Sequence, residues 1–236
     1  MRVLYVNPRS GSGSGSEVAA EARRRGIAVL ALGDDAPDGA EIVGAAGGDG
    51  SMRGVAAIAV ERGIPFVCVP CGTRNHLARD LGLDLEEPLA ALDAFDGRER
   101  RIDVGEVDGE LFVNNVSLGA YALLRHGLLG ELVDPRRRTA VVDGDAVHAA
   151  ILLVGNNRYD RLGRRARLDA GELSIYATAG FVPRVAIERT AARVAVELPS
   201  LERVEAAVDG EAVTLPARLE LAVRPRALRV LVPPER

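Results

Sequence analysis

The stretch GAAGGDGSMRGV, Gly44–Val55, decides how this chain is read. A short apolar run ends in two glycines, an aspartate, a third glycine and a serine, and a helix-like pattern follows. Glycines at the mouth of a strand leave backbone N–H groups facing an anion, and the N-terminus of the next helix aims more of them the same way. One loop of this kind is also what any tight turn requires, so the flanking sequence has to decide. The same order recurs on both sides: RVLYV runs into NPRSGSGSGS, and PFVCVP runs into CGTRNHLARDLGL.

Strand and helix signals alternate through RVLYV, IAVLAL, EIVGAA and PFVCVP, which predicts a parallel sheet with helices on its faces. Ser16 is expected to cap a helix over Glu17–Arg25 that stops at Gly26. Met52–Arg62 reads as a helix stopped by Gly63, and EEPLAALDAF as another helix. In such a sheet the three glycine- or hydroxyl-rich turns share the carboxyl edge, where ligands bind. That edge reads as a phosphate cradle. Asp49 is its odd member, because a carboxylate beside phosphates is repulsive unless a cation intervenes. Mg²⁺, which takes one or two carboxylates together with phosphate oxygens, resolves the conflict. The spacing matches neither the P-loop nor a clean G-x-G-x-x-G fingerprint.

After Gly97 the pattern changes to short alternating runs separated by turns, with an Asp-Gly hairpin signal in RRIDVGEVDGELFVNNVSL. The expected fold is therefore α/β: an N-terminal parallel-sheet nucleotide domain over residues 1–98, and a C-terminal antiparallel β-sandwich domain over 99–236. The last strand is free to return to the first domain.

Bulk properties narrow the class. The chain has 236 residues, 47% of them hydrophobic but only 3% aromatic, so its core is built from Ala, Val and Leu. A net charge of −4 excludes nucleic-acid binding by bulk attraction. No secretory signal and no apolar run of roughly 18–20 residues is present, and the expectation is a cytoplasmic protein. Cys68 and Cys71 form CVPC inside an apolar run. Too few partners surround them for a structural zinc, so both read as small apolar residues.

NPRSG at Asn7–Gly11, GGDGS at Gly47–Ser51 and PCGTRNHLARDLGL at Pro70–Leu83 together resemble the diacylglycerol kinase and sphingosine kinase catalytic family, in particular its bacterial soluble lipid kinases. RIDVG at Arg101–Gly105, FVNNVSLG at Phe112–Gly119 and VDGE at Val208–Glu211 continue the resemblance in order. It implies an ATP- and Mg²⁺-dependent kinase, with the active site in a cleft between two domains, acting on the hydroxyl of diacylglycerol or a similar lipid. By that resemblance Asn7, Pro8, Ser10, Gly11 and Ser12 hold the nucleotide. Gly47, Gly48, Asp49, Gly50, Ser51 and Arg53 cradle the phosphates, and Gly72, Thr73 and Asn75 add to them. Asp49 holds Mg²⁺, and Asp209 and Glu211 reach the reacting hydroxyl, with Glu211 the base. The residues alone read Asp209-Gly210-Glu211 as a hairpin turn just as well, since VDGE recurs at Val107–Glu110 and VDGD at Val142–Asp145. Asp103 reads equally as part of a charged network or as a surface carboxylate.

Four departures from the family pattern stand out. The segment from Asn7 to Gly47 is short, and a helix between the second and third strands is missing, together with a hydroxyl residue. His76 stands where the family has aspartate. In LDAGELS, at the segment where bacterial members hold a structural Mg²⁺, Ala170 replaces the aspartate. Asp169 is one residue off, which in a strand points it to the other face, so that metal site is expected to be lost. The chain is also shorter than typical members.

The arginine-rich runs DPRRR (Asp134–Arg138) and RYDRLGRRAR (Arg158–Arg167) suit either solvated loops or docking on anionic lipid, at roughly 1 kcal/mol per basic residue. Leu123, Leu124, Leu128 and Leu132 at helical spacing suit packing more than an acyl cleft. The expectations are transient contact with a membrane surface, no nucleic-acid partner, and a homodimer as an open option. Two other readings stand beside the lipid kinase: a non-catalytic nucleotide- or lipid-binding regulator of the same fold, and a soluble-metabolite kinase of NAD-kinase type.

Overall fold

The computed structural model describes residues 1–7, 14–119, 139–149, 151–160, 163–178 and 185–234. The chain forms two units, Met1–Ile102 with Arg226–Arg236, and Asp103–Pro225.

In the first unit, β1 (Arg2–Val6), β2 (Ala28–Ala31), β3 (Ile42–Gly47) and β4 (Phe66–Pro70) form a parallel sheet in the order β2-β1-β3-β4. Val3, Leu4, Val43, Ala45, Phe66 and Val67 are wholly buried, as strands covered on both faces must be. The long strand β16 (Arg218–Val232) closes the sheet by pairing parallel with β4, Val230 opposite Phe66.

Helix α1 (Gly15–Arg24) begins earlier than the sequence reading placed it. Ser14 rather than Ser16 occupies its N-cap, without a side-chain capping bond, because the buried stripe of Val18, Ala19 and Ala22 extends back to Gly15. Helix α2 (Asp49–Arg62) also starts before Met52. Gly48 is extended (φ −91°, ψ −174°), so the helix begins immediately after it. Asp49 thereby lies in the first turn, where a negative charge suits the helix dipole. Gly63 ends α2 in the left-handed region at φ 65°. A short helix α3 (His76–Asp80) follows β4.

EEPLAALDAF does not form an α-helix. Ala90–Asp96 is a 3₁₀ helix, set up by bonds from the amides of Ala90, Ala91 and Leu92 to the carbonyls of Glu87, Pro88 and Leu89. Its apolar pairs, Ala91 and Leu92 then Ala94 and Phe95, recur every three residues and all are buried. That is the period of the tighter helix. Between β2 and β3 the chain crosses without a helix: Asp34 accepts the amide of Ala31, and Arg62 donates to the carbonyls of Ala36 and Pro37.

The second unit is an antiparallel sandwich. One sheet runs β12 (Val185–Ala191), β11 (Leu173–Thr178), β10 (Ile151–Asn156), β7 (Asn115–Gly119), β14 (Arg203–Val208), β15 (Glu211–Pro216). The other contains β9 (Asp145–His148), β8 (Thr139–Val142), β13 (Arg193–Glu197) and the first half of β16, with β5 (Arg98–Val107) and β6 (Glu110–Phe112) paired at its side. One apolar core joins both, with Val116, Val154 and Ile175 from the first sheet and Val142, Val194 and Leu221 from the second. Three hairpins turn on Asp-Gly, at Asp108, Asp143 and Asp209. Each aspartate has φ near +50° (49°, 50° and 50°), and Gly109, Gly144 and Gly210 are positive as well. This is the type I′ turn that matches strand twist.

Candidate active site

β1, β3 and β4 end side by side because they are parallel, and Asn7 at the end of β1 and the loops that follow β3 and β4 form one rim within the first unit. The amide of Asn7 donates to the carbonyl of Ala46 at 3.1 Å, and its side-chain amide to Ser51 Oγ at 3.2 Å. The amide of Cys71 donates to the Gly47 carbonyl at 3.1 Å. The glycines are required by contact. A Cβ on Gly72 would lie 2.3 Å from the Cα of Gly48, and a Cβ on Gly47 would lie 2.5 Å from Ser51 Oγ. Two backbones therefore touch where α2 begins, and Gly48 brings no side chain to cap that helix.

Asn75 holds the β4 loop in shape. It sits in the left-handed region (φ 49°), is buried, and exchanges two bonds with Gly72: its Oδ1 accepts the Gly72 amide at 3.0 Å and its Nδ2 donates to the Gly72 carbonyl at 2.8 Å. The Asp49 carboxylate crosses between the loops and accepts the amides of His76 and Leu77, both at 3.3 Å, with His76 Nδ1 at 3.5 Å. Burial pushes the His76 imidazole below its ordinary value, and the Asp49 charge offsets part of that. Ser51 is buried, Gly50 and Arg53 are half-buried and Thr73 is exposed. Pro8, Ser10, Gly11 and Ser12 lie outside the described residues.

A cavity of about 340 Å³ opens beside this rim against Ser14, Gly72, Asn75, Glu86 and Leu89. A larger one of about 760 Å³, between Arg25, Asp84, Asp93 and Arg98, contains none of the candidate residues. Cys68 and Cys71 form no disulfide and are buried under the rim, and burial pushes both thiols up.

The rim fits a nucleotide's phosphates: glycine backbones in contact leave no Cβ in the way, and a helix N-terminus points at the same place. It offers Mg²⁺ one carboxylate, Asp49, which suits an ion that takes the rest of its shell from phosphate and water.

In the second unit the three Asp-Gly turns are not equivalent. Asp108 and Asp143 are exposed, whereas Asp209 is 6% exposed. Its Oδ2 accepts the amide of Val113 at 2.8 Å, and its Oδ1 accepts those of Asn114 and Asn115 at 2.7 and 3.0 Å. Glu211, two residues on at the start of β15, is exposed.

Around that anchor lies a buried polar network that the sequence reading missed. Arg165 is 3% exposed. Its Nη1 donates to the carbonyls of Val113 (2.5 Å) and Asn156 (3.1 Å), and its Nη2 to Asn114 Oδ1 at 2.7 Å. Both readings of RYDRLGRRAR, solvated loop and lipid dock, therefore fail at Arg165. They fail because the fold turns this side chain inward, onto the Val113 and Asn156 carbonyls and the Asn114 side-chain oxygen. Asn156 and Asn157 are buried with it. The signal was present as amide doublets, Asn114-Asn115 and Asn156-Asn157, interrupting apolar strands.

Asp103 is wholly buried, which removes the surface reading. Its amide donates to Leu168 O and its Oδ2 accepts the Gly171 amide, both at 2.7 Å. Asp169 and Ala170 precede β11 in irregular chain, so strand alternation does not govern them. Asp169 pairs with Arg167 at 3.4 Å, while the amide of Ala170 donates to Asn157 Oδ1. DPRRR and Leu123, Leu124, Leu128 and Leu132 lie outside the described residues.

Residues 25–107 match the family model of the diacylglycerol kinase catalytic domain. Over 120 residues the chain is 38% identical to a Pseudomonas aeruginosa protein named "Probable lipid kinase YegS-like", covering 50% of this chain and 35% of that one. It is 32% identical over 122 residues to "Diacylglycerol kinase" of Mycobacterium tuberculosis, covering 44% of this chain and 40% of that one. The matched stretch thus spans less than half the length of these curated relatives. A solved diacylglycerol kinase structure from Bacillus anthracis superposes with a TM-score of 0.73 at 16% identity, over 98% of this chain and 96% of that one, and shares its fold.

Proposed function

We propose that this chain, which carries a diacylglycerol kinase-type catalytic domain, transfers the γ-phosphoryl group of ATP to the hydroxyl of diacylglycerol or a similar lipid. The observation that carries the reading is the asymmetry of the Asp-Gly hairpins: only Asp209 is anchored in a buried network, and the residue it sets in place, Glu211, is an exposed carboxylate.

The rim of the first unit takes the nucleotide, with Asn7, Gly47, Gly48, Ser51 and Gly72 shaping the phosphate cradle. Gly50, Arg53, Thr73 and Asn75 contribute backbone, charge or hydroxyl, and Pro8, Ser10, Gly11 and Ser12 belong to the same loop by the family pattern. Asp49 would hold Mg²⁺, which when bound would supply positive charge against the phosphate oxygens. The lipid oxygen forms a bond to the γ-phosphorus as the bond to the departing ADP oxygen breaks. Glu211 accepts the hydroxyl proton, and Asp209 holds the turn that presents it. A positioned base of this kind contributes about 10²–10⁴-fold.

The test is transfer from labelled ATP with Mg²⁺ to a panel of lipids in mixed micelles, for wild type and Glu211→Gln. Product from one lipid in the wild type, lost by about 10²-fold or more in Glu211→Gln, is the expected outcome. Undiminished product in the variant removes Glu211 as base. The helix-free crossing at residues 32–41 favours a second reading, a non-catalytic binding protein of the same fold. ATP binding without transfer to any lipid would select it, and turnover of NAD would select the metabolite kinase. Among the described residues no helix is long and apolar enough to cross a membrane.

A further inference from the structure

We propose that Arg165 is a positioning residue for the phosphoryl transfer, acting through Asp209 on Glu211. The proposal rests on the assignment of Glu211 as base.

The segment Val113–Asn115 enters β7 with its backbone gripped from two sides. Asp209 takes all three amides. Arg165 takes the Val113 carbonyl together with the Asn114 side-chain oxygen. The Asn114 carbonyl receives the Asn156 amide at 2.8 Å and the Tyr159 hydroxyl at 3.1 Å. The Asn115 carbonyl receives the amide of Asp209 at 2.9 Å, which closes the loop back onto the turn. Glu211 is two residues beyond Asp209, across a two-residue turn that transmits any shift of the anchor.

The guanidinium itself is held in place. Tyr159 lies under it, 5.8 Å from ring centroid to Cζ, and the Tyr159 ring has room because residue 155 is glycine: a Cβ there would come within 2.5 Å of the ring. The Tyr159 amide donates to the Tyr176 hydroxyl at 3.0 Å.

Such a residue is a poor device for stability alone. Burying a charge costs solvation, and well-packed apolar replacements of buried ionic groups are often neutral or stabilising. A planar fork does one thing that an apolar side chain cannot: it fixes two oxygens of one segment at a set spacing and angle. Here those two oxygens belong to the segment whose amides define the position of Asp209. The chain thus contains a fixed cation whose contacts run through the bend that enters β7 to the catalytic hairpin. Losing it lets Val113–Asn115 shift, and misplacement of about 1 Å at a reacting group costs up to about 10²-fold in rate.

The experiment compares Arg165→Met, Arg165→Lys and Arg165→Ala, each alone and combined with Glu211→Gln, at equal folded fraction. Expected is a fall in kcat of about 10-fold or more for Arg165→Met with the KM for ATP unchanged, and a smaller fall for Arg165→Lys. Partial recovery of Arg165→Ala by added guanidinium is expected, with no further loss when Arg165→Met is placed on Glu211→Gln. Hydrogen exchange, read without turnover, should speed up at the amides of Val113–Asn115 and in the hairpin at Glu211, in the well-folded Arg165→Lys as well as in Arg165→Met. Unchanged exchange there, or losses that multiply in the double variant, overturn the proposal. Turnover lost in Glu211→Gln but kept in Arg165→Met removes this proposal alone. Turnover kept in Glu211→Gln removes the base assignment and this proposal with it.

Discussion

The Asp209 carboxylate and the Asn114 amide, 95 residues apart in sequence, meet at 2.7 Å. That bond and its two neighbours, all on a buried carboxylate, separate one Asp-Gly hairpin from two others with similar local sequence and φ: Asp108 and Asp143 are exposed, and Asp143 accepts the exposed amide of Ala195 at 2.8 Å. Asparagine is as good as aspartate in a type I′ turn, so aspartate-to-asparagine changes hold the turn chemistry constant and test only the anchor. Asp108→Asn and Asp143→Asn are expected to change unfolding free energy by less than about 0.5 kcal/mol. Asp209→Asn is expected to cost about 2–3 kcal/mol, because an amide NH₂ then faces a buried N–H donor. Urea denaturation of the three variants reads this directly.

Gly72 and Gly54 predict opposite outcomes for the same substitution. A Cβ on Gly72 meets the Gly48 backbone, whereas a Cβ on Gly54, inside α2, meets nothing within 4 Å. Gly54→Ala should stabilise the protein by about 0.5–1 kcal/mol through helix propensity. Gly72→Ala should open the two loops and weaken ATP binding by about 10-fold or more, on the scale of about 1.4 kcal/mol per decade. Calorimetric titration with nucleotide, alongside thermal melts, separates the two effects.

Glu99 and Arg229 join the two chain segments of the first unit at 2.7 Å, and hydrogen bonding to the guanidinium holds the Glu99 carboxyl below its ordinary range. The folded value is depressed, so the stabilisation is present above the unfolded carboxylate value of about 4.3 and is lost as pH falls through the lower folded value. Both partners are partly solvated, which keeps the contribution within about 1 kcal/mol. Melting temperatures from pH 6 down to pH 3, the wild type against Glu99→Gln, should converge toward the acid end. Parallel curves would mean that the pair contributes nothing.

Cys68 and Cys71 form no disulfide, are buried, and are held in the thiol form by desolvation. A thiol-disulfide reagent at pH 8 should leave both unmodified in the folded protein and titrate both after denaturation. Fast modification without unfolding would show that the floor of the glycine rim opens in the native state.

Sequence alone determined the alternation of strands and helices, the glycine turns at their ends and the change to hairpins after Gly97. Those signals are local. Apolar runs, glycine at a left-handed position and Asp-Gly between strands act over a few residues, and Gly63 and the three type I′ turns stand where local chemistry places them. Helix starts were less legible. α2 begins at Asp49 because Gly48 is extended against Gly72, a contact between loops that lie more than twenty residues apart in sequence. The 3₁₀ form of Ala90–Asp96 follows from how its apolar pairs are buried, not from propensity.

The tertiary structure alone decided which Asp-Gly turn is anchored in a buried network, that Asp103 is buried, and that Arg165 turns inward. Each depends mostly on backbone amides and carbonyls of segments distant in sequence, and these groups are the same for every residue type. A run of side-chain letters carries no record of them, so a buried guanidinium and a solvated one read alike until the strands are assembled.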